Sequence, residues 1–323
     1  MLVFLTGGTG FVGAHVARAL VAAGHRVRAL RRRTSRFDAL LPVEWVVGDV
    51  LDPASLDAGM VGCEAVIHTA AAISMRGKAA AVAEARQVNV EGTRNVIAAA
   101  RKAGARRFVF TSSVAAIGKA DRDGIADEDQ PYNWAPGAPY REAKRDSEKL
   151  ALAAAGPDFE VVALNPSLVL GPDEPGKRFV PFMRAIRFGL GRLSPPGGTT
   201  IADVRDVADA HVAALTRGRS GARYILGGAH VQYREFISLF AKALDAPGPL
   251  VTVPLGAIEA ALLPVYALRA LMPLRVRPEA LSAAFTERYY SSARAVAELG
   301  YHTRPAAEII GDAVASYRSA GAL

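Results

Sequence analysis

Short apolar runs alternate with longer stretches of helical spacing through the first half of the chain. The apolar runs predict β-strands at Leu2–Leu5, Arg26–Leu30, Trp45–Val47, Ala65–Thr69, Phe108–Thr111 and Glu160–Leu164. The stretches between them predict α-helices at Ala14–Ala23, Glu84–Ala103 and Tyr140–Ala155, each of which ends near a glycine. This alternation indicates an α/β fold with a parallel sheet and helices on both of its faces.

The pattern changes after Pro166, where glycine and proline clusters predict loops around a short helix, Arg178–Phe188. A strand at Arg223–Leu226 is expected to rejoin the sheet, and the chain from Gln232 onward indicates helices with few strands. We therefore expect residues 1–170, with 202–230, to form a nucleotide-binding domain. Residues 171–201 and 231–323 are expected to form a smaller, mostly helical lobe that binds the substrate.

A glycine-rich turn, Thr6–Gly13, joins the first predicted strand to the first predicted helix. Gly7 permits a tight turn, Gly10 lets the backbone approach a pyrophosphate, and Gly13 lets the helix pack closely on the strand. Phosphates would then face the positive end of the helix dipole. The order of strand, turn, helix and second strand predicts a doubly wound, Rossmann-type dinucleotide-binding domain. The alternative is a plain strand-to-helix turn.

The end of the second predicted strand bears three consecutive arginines, Arg31–Arg33. A fold that binds NAD usually has an acidic residue here, which hydrogen-bonds the ribose hydroxyls. A guanidinium at Arg31 would instead bind the 2′-phosphate of NADP. We therefore expect NADP (NADPH) as the cofactor, and the alternative is that the three arginines form a solvated basic surface.

Charge and cysteine content argue against several other classes of function. The formal net charge of the 323 residues is +8, but the arginines are scattered and aromatic residues make up only 7% of the chain, so we expect no nucleic-acid partner. The single cysteine, Cys63, rules out an intramolecular disulfide and is expected to pack in the core. The histidines are not grouped with acidic residues, so no metal site is expected.

The longest apolar stretch, Leu250–Leu274, is interrupted by prolines and charged residues, so we expect no integral membrane span. Since the first predicted strand begins at once, no signal peptide is expected and the protein is predicted to be cytoplasmic. The stretch Leu250–Leu274 is expected instead to cover a substrate pocket or to be simply core. Its candidate lining residues are Leu255, Ile258, Leu262, Leu263, Tyr266 and Met272.

Three polar side chains are candidates for catalysis. The strand that ends in Thr111 is followed by Ser113, and Tyr140 and Lys144 share one face of a predicted helix because they are four residues apart. An adjacent ammonium and an oxidised nicotinamide would favour the anion of the tyrosine. Ser113 would donate a hydrogen bond to the substrate oxygen while Tyr140 transfers the proton.

Taken together, these motifs resemble the extended short-chain dehydrogenases/reductases of the NAD(P)-dependent epimerase/dehydratase group. The resemblance covers nearly the whole chain. It rests on the segments Thr6–Gly13, Gly48–Val50, His68–Ala71, Asn89–Thr93, Thr111–Ser113, Tyr140–Lys144 and Asn165–Pro172.

The resemblance implies roles for individual residues. Asp49 and Val50 would contact the adenine, Thr69 to Ala71 the ribose and phosphate, Lys144 the nicotinamide ribose, and Pro166 with Ser167 the nicotinamide. The full set of expected cofactor contacts is Gly7, Gly10, Phe11, Val12, Arg31, Asp49, Val50, Thr69, Ala70, Ala71, Lys144, Pro166 and Ser167. The resemblance leaves open whether Asn89 lies near the site or is structural. It also suggests a homodimer formed through the helices around Glu84–Ala103 and Tyr140–Ala155.

Within this group the chain is most similar to dihydroflavonol reductases, cinnamoyl-CoA reductases and hopanoid-associated sugar epimerase-like proteins. We expect an NADP-dependent carbonyl reductase or alcohol dehydrogenase that acts on a fairly apolar small molecule. A nucleotide-sugar epimerase or dehydratase is the first alternative, but Leu168 stands where such enzymes usually have an asparagine. The loop Gly197–Asp203 also lacks their arginine and aromatic pair. A non-enzymatic NADP-sensing protein is the second alternative. Trp134 either lines the substrate pocket or anchors its loop.

Overall fold

The structure, a computed structural model, describes residues 1–72, 79–120, 124–173, 178–254 and 287–323, together with residues 256, 257 and 260. Its strands are β1 (Leu2–Thr6), β2 (Arg26–Arg31), β3 (Glu44–Val47), β4 (Ala65–His68), β5 (Arg107–Thr111), β6 (Ile125–Ala126), β7 (Glu160–Pro166), β8 (Leu168–Leu170), β9 (Leu193–Ser194), β10 (Gly198–Asp203), β11 (Arg223–Leu226), β12 (Ala229–Gln232), β13 (Val251–Thr252) and β14 (Glu287–Tyr290).

The α-helices within the described residues are α1 (Phe11–Ala22), α2 (Pro53–Met60), α3 (Ala79–Lys102), α4 (Pro139–Ala153), α5 (Val180–Arg187), α6 (Val204–Ala213), α7 (Tyr233–Ala243), α8 (Ala293–Leu299) and α9 (Ala306–Ser319). Within this part of the chain, no helix combines the length and the apolar character needed to cross a bilayer.

Seven parallel strands form the central sheet, in the spatial order β11-β7-β5-β4-β1-β2-β3. Strand order runs in opposite directions on the two sides of β1, so the switch point of this doubly wound sheet lies between β1 and β4. In such sheets the ligand lies outside the carboxyl ends of the strands at the switch point. This topology confirms the predicted Rossmann fold.

Alternate residues of the strands contribute to two separate cores, because successive side chains of a strand point to opposite faces of the sheet. Val3 and Leu5 are buried on the face that α1 and α6 cover. Phe4 is buried on the opposite face, where α2, α3 and α4 pack. Cys63 is 2% exposed in this second core, as predicted for a packing residue.

Arg107 at the start of β5 connects the centre of the sheet to the segment that follows α6. Its buried guanidinium donates hydrogen bonds to the carbonyls of Ala214, Arg217 and Gly218. It also forms an ion pair of 2.7 Å with Glu160 on the neighbouring strand β7. A buried charge is tolerated only when it is paired and hydrogen-bonded, so this arginine depends on residues more than a hundred positions away.

All seven strands of the central sheet lie within two residues of their predicted bounds. The helices differ more, since α1 begins at Phe11 rather than Ala14 and α3 begins at Ala79 rather than Glu84. The first difference arises because Gly10 is the N-cap of α1, so the helix starts directly at the glycine-rich turn.

A second sheet, which the sequence did not predict, is built mainly from strands of the carboxyl-terminal half, together with β6. Its order is β12-β10-β14-β6, and β8 also pairs with β10. The segment Gly197–Asp203 was expected to be a loop, but residues Gly198–Asp203 form β10. Its strands contain two to six residues each, so the apolar pattern is too short to detect. The predicted pocket-lining residues Leu255, Ile258, Leu262, Leu263, Tyr266 and Met272 lie outside the described residues.

Candidate active site

The glycine-rich turn brings the backbone of β1 and α1 into direct contact. Gly7 has φ +75°, and a Cβ there would lie 2.5 Å from Thr69 Oγ1. A Cβ on Gly13 would lie 2.1 Å from the Gly7 carbonyl oxygen. Gly10 is the N-cap of α1 and has no side chain that could accept a hydrogen bond. The backbone N–H groups of the first helical turn, at the carboxyl end of the sheet, therefore have no side-chain acceptor. The turn therefore fits a phosphate group.

A cleft of about 560 Å³ opens beside this turn, between the carboxyl ends of β1, β2 and β4 and the start of α3. It brings together eight of the predicted cofactor residues: Gly7, Gly10, Arg31, Asp49, Val50, Thr69, Ala70 and Ala71. The other lining residues are Thr9, Leu30, Arg32, Ser35, Gly48, Ala72, Ala81, Glu84, Ala85 and Val88. Four of this second group, Ala81, Glu84, Ala85 and Val88, lie on the first turns of α3 and were missed because they show no motif in the sequence.

The remaining predicted cofactor residues lie outside the lining of this cleft. Phe11 instead borders a narrow gap with Leu170 and Phe179, and Val12 packs against the core under α1. Pro166 is the buried last residue of β7. Ser167 donates its backbone N–H to the Leu226 carbonyl at 3.1 Å.

Arg31 lies at the far end of the cleft from the turn. Its guanidinium carbon is 4.4 Å from the centre of the Phe37 ring, which is a cation–π contact. Its Nε is buried and has no hydrogen-bond partner among the described residues. Arg32 and Ser35 line the same end of the cleft. A buried donor of this kind fits an anionic ligand group such as a phosphate.

Asp49 is oriented by its own loop. One carboxylate oxygen accepts the backbone N–H of Leu51 at 2.9 Å, and the backbone N–H of Asp49 donates to Ser55 at 3.1 Å. The Asp49 side chain is therefore fixed in direction while it lines the cleft.

Asn89 fixes the loop after β4. Its side-chain oxygen accepts the N–H of Ala72 at 2.8 Å, and its amide donates to the carbonyl of the same residue at 2.9 Å. Both groups of the side chain are thereby used on the backbone. Asn89 thus holds the loop that includes Thr69 to Ala71, and the residue it bonds, Ala72, lines the cleft.

Ser113 and Tyr140 meet at the carboxyl end of β5. Ser113 caps a short 3₁₀ turn, Val114–Ala116, where its hydroxyl oxygen accepts the N–H of Ala115 at 3.2 Å. The side chains of Ser113 and Tyr140 hydrogen-bond each other. Burial raises the pKa of the Tyr140 phenol, whereas the bond to Ser113 and the charge of Arg178 oppose that rise. The phenol is therefore protonated at neutral pH and can donate a proton.

Lys144 lies one helical turn after Tyr140 and is buried. Its ammonium donates to the Thr111 carbonyl oxygen at 2.9 Å and lies 5.5 Å from the centre of the Phe110 ring. Burial lowers the pKa of Lys144 from the ordinary 10.5 to about 8, and the Glu148 carboxylate partly opposes this shift. The charge of Arg178 also acts on the Tyr140 phenol, and sequence reasoning missed this residue because a motif does not show which distant loop reaches the site.

A buried polar network holds the backbone of Ser113. Asn165 on β7 donates its side-chain amide to the Ser113 carbonyl oxygen at 3.1 Å and to Glu148. Glu148 also pairs with Arg223 at 3.1 Å, so α4, β5, β7 and β11 are joined at this point. The network fixes the position of the Ser113 backbone relative to α4.

Two buried histidines are structural. His211 must donate from Nδ1 to the Val207 carbonyl at 2.7 Å, so its Nε2 accepts from the Thr111 hydroxyl at 2.7 Å. Burial lowers the pKa of His211 to about 4 and that of His68 to about 3, so both are neutral at physiological pH. Within the part of the chain that the structure describes, no group of three His, Cys, Asp or Glu could hold a metal ion.

Trp134 lies in the loop before α4, a few residues before Tyr140 in the chain. Its indole N–H donates to the Ile117 carbonyl at 2.7 Å, which anchors the loop to the segment after Ser113. The charged groups of Arg141, Arg288 and Lys119 lie 4.0, 5.2 and 5.8 Å from the ring centre. The sequence did not predict this cluster, because Arg288 comes from β14, far along the chain.

A family model described as the NAD dependent epimerase/dehydratase family matches residues 3–227. The chain belongs to this family. It is therefore an NAD(P)-dependent enzyme of the short-chain dehydrogenase/reductase group, and the resemblance inferred from the motifs is confirmed.

Similar proteins within the epimerase/dehydratase family include reductases. The chain is 37% identical to a dihydroflavonol 4-reductase-like protein of Synechocystis sp., over 98% of this chain and 95% of the relative. It is 32% identical to the 2-alkyl-3-oxoalkanoate reductase of Stenotrophomonas maltophilia, over 93% of this chain and 94% of the relative. The crystal structure of gox2253 is 32% identical and has a TM-score of 0.86, covering 100% of this chain and 99% of that one.

The buried ammonium of Lys144 leads to a prediction about stability. Because its pKa is about 8 in the folded protein and 10.5 ordinarily, the charged form is less favourable after folding. This penalty, about 3 kcal/mol at most, is present below pH 8 and disappears as the pH rises to 10.5. Lys144→Met removes this penalty but also removes the hydrogen bond to Thr111, which reduces the gain. We therefore expect the substitution to raise the free energy of unfolding of the cofactor-free protein by about 1–3 kcal/mol at pH 7.

Thermal or denaturant unfolding at pH 7 and pH 10 measures this effect. The difference in the free energy of unfolding between Lys144→Met and the wild type should be smaller at pH 10. Lys149→Met on the same helix is the matched control, because Lys149 is exposed and should change stability little. A Lys144→Met protein that is less stable than wild type at pH 7 contradicts the analysis.

Proposed function

We propose that this enzyme is an NADP(H)-dependent reductase of a ketone or aldehyde, or in reverse a dehydrogenase of the corresponding alcohol, and that its substrate is a largely apolar small molecule. The observation that supports the reaction is the pairing of Ser113 with a protonated Tyr140 at the carboxyl end of β5, close to the switch point of the sheet. The similarity to a 2-alkyl-3-oxoalkanoate reductase supports the same type of reaction. We also propose that residues 1–170 and 202–230 form the cofactor-binding domain, which carries Ser113 and Tyr140, and that residues 171–201 and 231–323 form a lobe that completes the substrate site.

Tyr140 and Ser113 have different roles in the proposed reaction. The bound cofactor supplies hydride transfer to or from the substrate carbon. Tyr140 gives its proton to the carbonyl oxygen as negative charge develops there. Ser113 donates a hydrogen bond to the same oxygen, since its own oxygen already accepts from Ala115. In the opposite direction Tyr140 must first be a phenolate, so oxidation of the alcohol should require a higher pH.

Lys144 acts as a binding and positioning group in this proposal. An ammonium has three N–H donors, and one is used on the Thr111 carbonyl. The other two are available to the hydroxyls of the nicotinamide ribose. The Ser167 hydroxyl, which is buried without a partner among the described residues, would donate to a polar group of the nicotinamide.

We predict that Tyr140→Phe retains cofactor binding and lowers turnover by about 10²–10⁴-fold, because only the proton donor is removed. Nicotinamide absorbance with a panel of ketones and aldehydes measures the turnover, and a direct titration measures cofactor binding. Tyr132→Phe, in the preceding loop, is the control that loses a hydroxyl without loss of turnover. Turnover in Tyr140→Phe equal to wild type would overturn the proposed role of Tyr140 as the proton donor.

We propose the preference for NADP(H) because of the residues at the far end of the cleft. Arg31, with its unpartnered Nε, would bind the 2′-phosphate together with Arg32 and Ser35. Hydrogen bonds to charged groups contribute about 1.5–3 kcal/mol each. We predict that the wild-type protein binds NADP(H) at least tenfold more tightly than NAD(H), and that Arg31→Asp reverses the preference. Isothermal titration with both cofactors checks this, and equal dissociation constants in the wild type would contradict it.

The runner-up function is a nucleotide-sugar epimerase or dehydratase, which the description of the family also includes. Half-buried Leu168 on β8 argues against it, because its side chain offers no hydrogen bond to a sugar. Burying one medium apolar group contributes about 1.5–3 kcal/mol, which would favour an apolar substrate at such a site.

We therefore predict that aromatic or terpenoid ketones and aldehydes raise the melting temperature of the NADP-bound protein, whereas UDP- and dTDP-sugars do not. Thermal-shift titrations in saturating NADP provide the measurement. Stabilisation by the sugar nucleotides alone would refute the reductase proposal in favour of the epimerase.

A further inference from the structure

Large apolar side chains are exposed together on two short segments that pair with each other. Phe188 is 85% exposed and Leu190 is 69% exposed, and Leu193, Leu250 and Val251 are each more than half exposed. These five residues are called the apolar cluster below. A single exposed apolar residue is normal on a protein surface, whereas a group of them marks a site of interaction.

The strand pair β9 and β13 has its apolar side chains outside and a polar one inside. Leu193 and Val251 are opposite each other in this parallel pair, so they lie on the same face. Both are exposed, whereas Ser194, the next residue of β9, is fully buried. A strand at a water-facing surface usually has the reverse arrangement, with apolar residues inside. The outer face of the pair is therefore suited to an apolar environment.

Phe188 stands at a fixed bend of the chain. Ile186 of α5 is buried in the carboxyl-terminal core, which holds the end of the helix in place. Gly189, with φ +90°, then leads into a second 3₁₀ turn, Leu190–Arg192. Such a turn advances only about 2 Å per residue, so Phe188 stays close to Leu193. The cluster therefore projects from a supported backbone.

The basic side chains within this segment have no acidic partners. Arg187 and Arg192 are exposed, and neither guanidinium forms an ion pair or a hydrogen bond with the part of the chain that the structure describes. The sequence has no acidic residue from 175 to 202. Asp245 lines a surface cavity together with Arg187, but its carboxylate is paired with Arg318 at 2.8 Å. The two arginines are therefore available to an external anion.

A bilayer surface with anionic headgroups matches this combination of apolar and cationic side chains. Arginine binds phosphate through parallel hydrogen bonds, and apolar side chains that project between headgroups reach the acyl boundary. A protein partner would need a surface of complementary shape, whereas lipid accepts projecting side chains without one.

We propose that the apolar cluster, with Arg187 and Arg192, binds peripherally to a membrane surface that contains anionic lipids. This surface function goes beyond the proposed reductase activity and does not depend on it. Attachment to a bilayer would bring the enzyme to apolar compounds that are dissolved in the lipid.

Co-sedimentation with vesicles at about 0.15 M salt, where long-range electrostatic attraction is screened, tests the proposal. We expect the wild-type protein to bind phosphatidylcholine vesicles that contain about 30% phosphatidylglycerol at least tenfold more tightly than pure phosphatidylcholine vesicles. Phe188→Ser combined with Leu193→Ser should weaken this binding about tenfold or more, because the apolar contact is lost. Arg187→Gln combined with Arg192→Gln should lower the preference for anionic vesicles about tenfold. All four residues are exposed, so the variants should keep the wild-type melting temperature.

Two control variants separate the cluster from general surface properties. Leu40→Ser removes another exposed apolar side chain, and Arg26→Gln combined with Arg106→Gln removes two exposed charges beside the amino ends of β2 and β5. Both controls should bind within about twofold of the wild type.

Three results would overturn the proposal. The first is binding to neither kind of vesicle. The second is an equal loss of binding in the Arg26 and Arg106 control, because the net charge of the chain would then be the cause. The third is a dimer in gel filtration that the Phe188→Ser and Leu193→Ser variant converts to a monomer, because the cluster would then contact a second copy of the chain.

Discussion

The contact between Gly7 and Gly13 is the constraint on which the rest of the structure depends. A side chain at either position would collide with backbone or with Thr69, so α1 can start directly at the turn only when both residues are glycine. That close approach sets the start of α1 beside the carboxyl ends of β1 and β4. The cleft beside the turn, and the close packing of Thr69 and Ala70 against Gly7, depend on this placement.

The central sheet and much of the cofactor cleft could be predicted from the sequence, because they depend on local patterns. A buried parallel strand is a short apolar run, and a glycine-rich turn has fixed spacing, so both are visible in one stretch of chain. The position of Arg31 follows in the same way, since it is the last residue of β2. Ser113 was expected at the ligand edge because it follows the carboxyl end of a parallel strand, and its side chain hydrogen-bonds Tyr140 on α4.

The features that could not be predicted depend on contacts between distant segments. The second sheet is built from strands as short as two residues, for which the apolar pattern has no period to detect. The charge of Arg178 acts on Tyr140, and no local pattern indicates this interaction because the two residues are far apart in the chain. Lys144 lies one turn after Tyr140 as its spacing predicts, and its ammonium also donates to the Thr111 carbonyl. A spacing rule shows which side chains share a face and does not show which acceptor each one reaches.

The buried guanidinium of Arg107 has a consequence for the order in which the chain can fold. Its hydrogen-bond acceptors include the carbonyls of Ala214, Arg217 and Gly218, so during synthesis β5 and its ion-pair partner Glu160 exist long before these acceptors. Until those residues have left the ribosome, the sheet must either keep this end of β5 hydrated or bury N–H groups without acceptors, which costs about 1–3 kcal/mol for each group. Closure of the central sheet is therefore a late event, coupled to the addition of β11 at its edge.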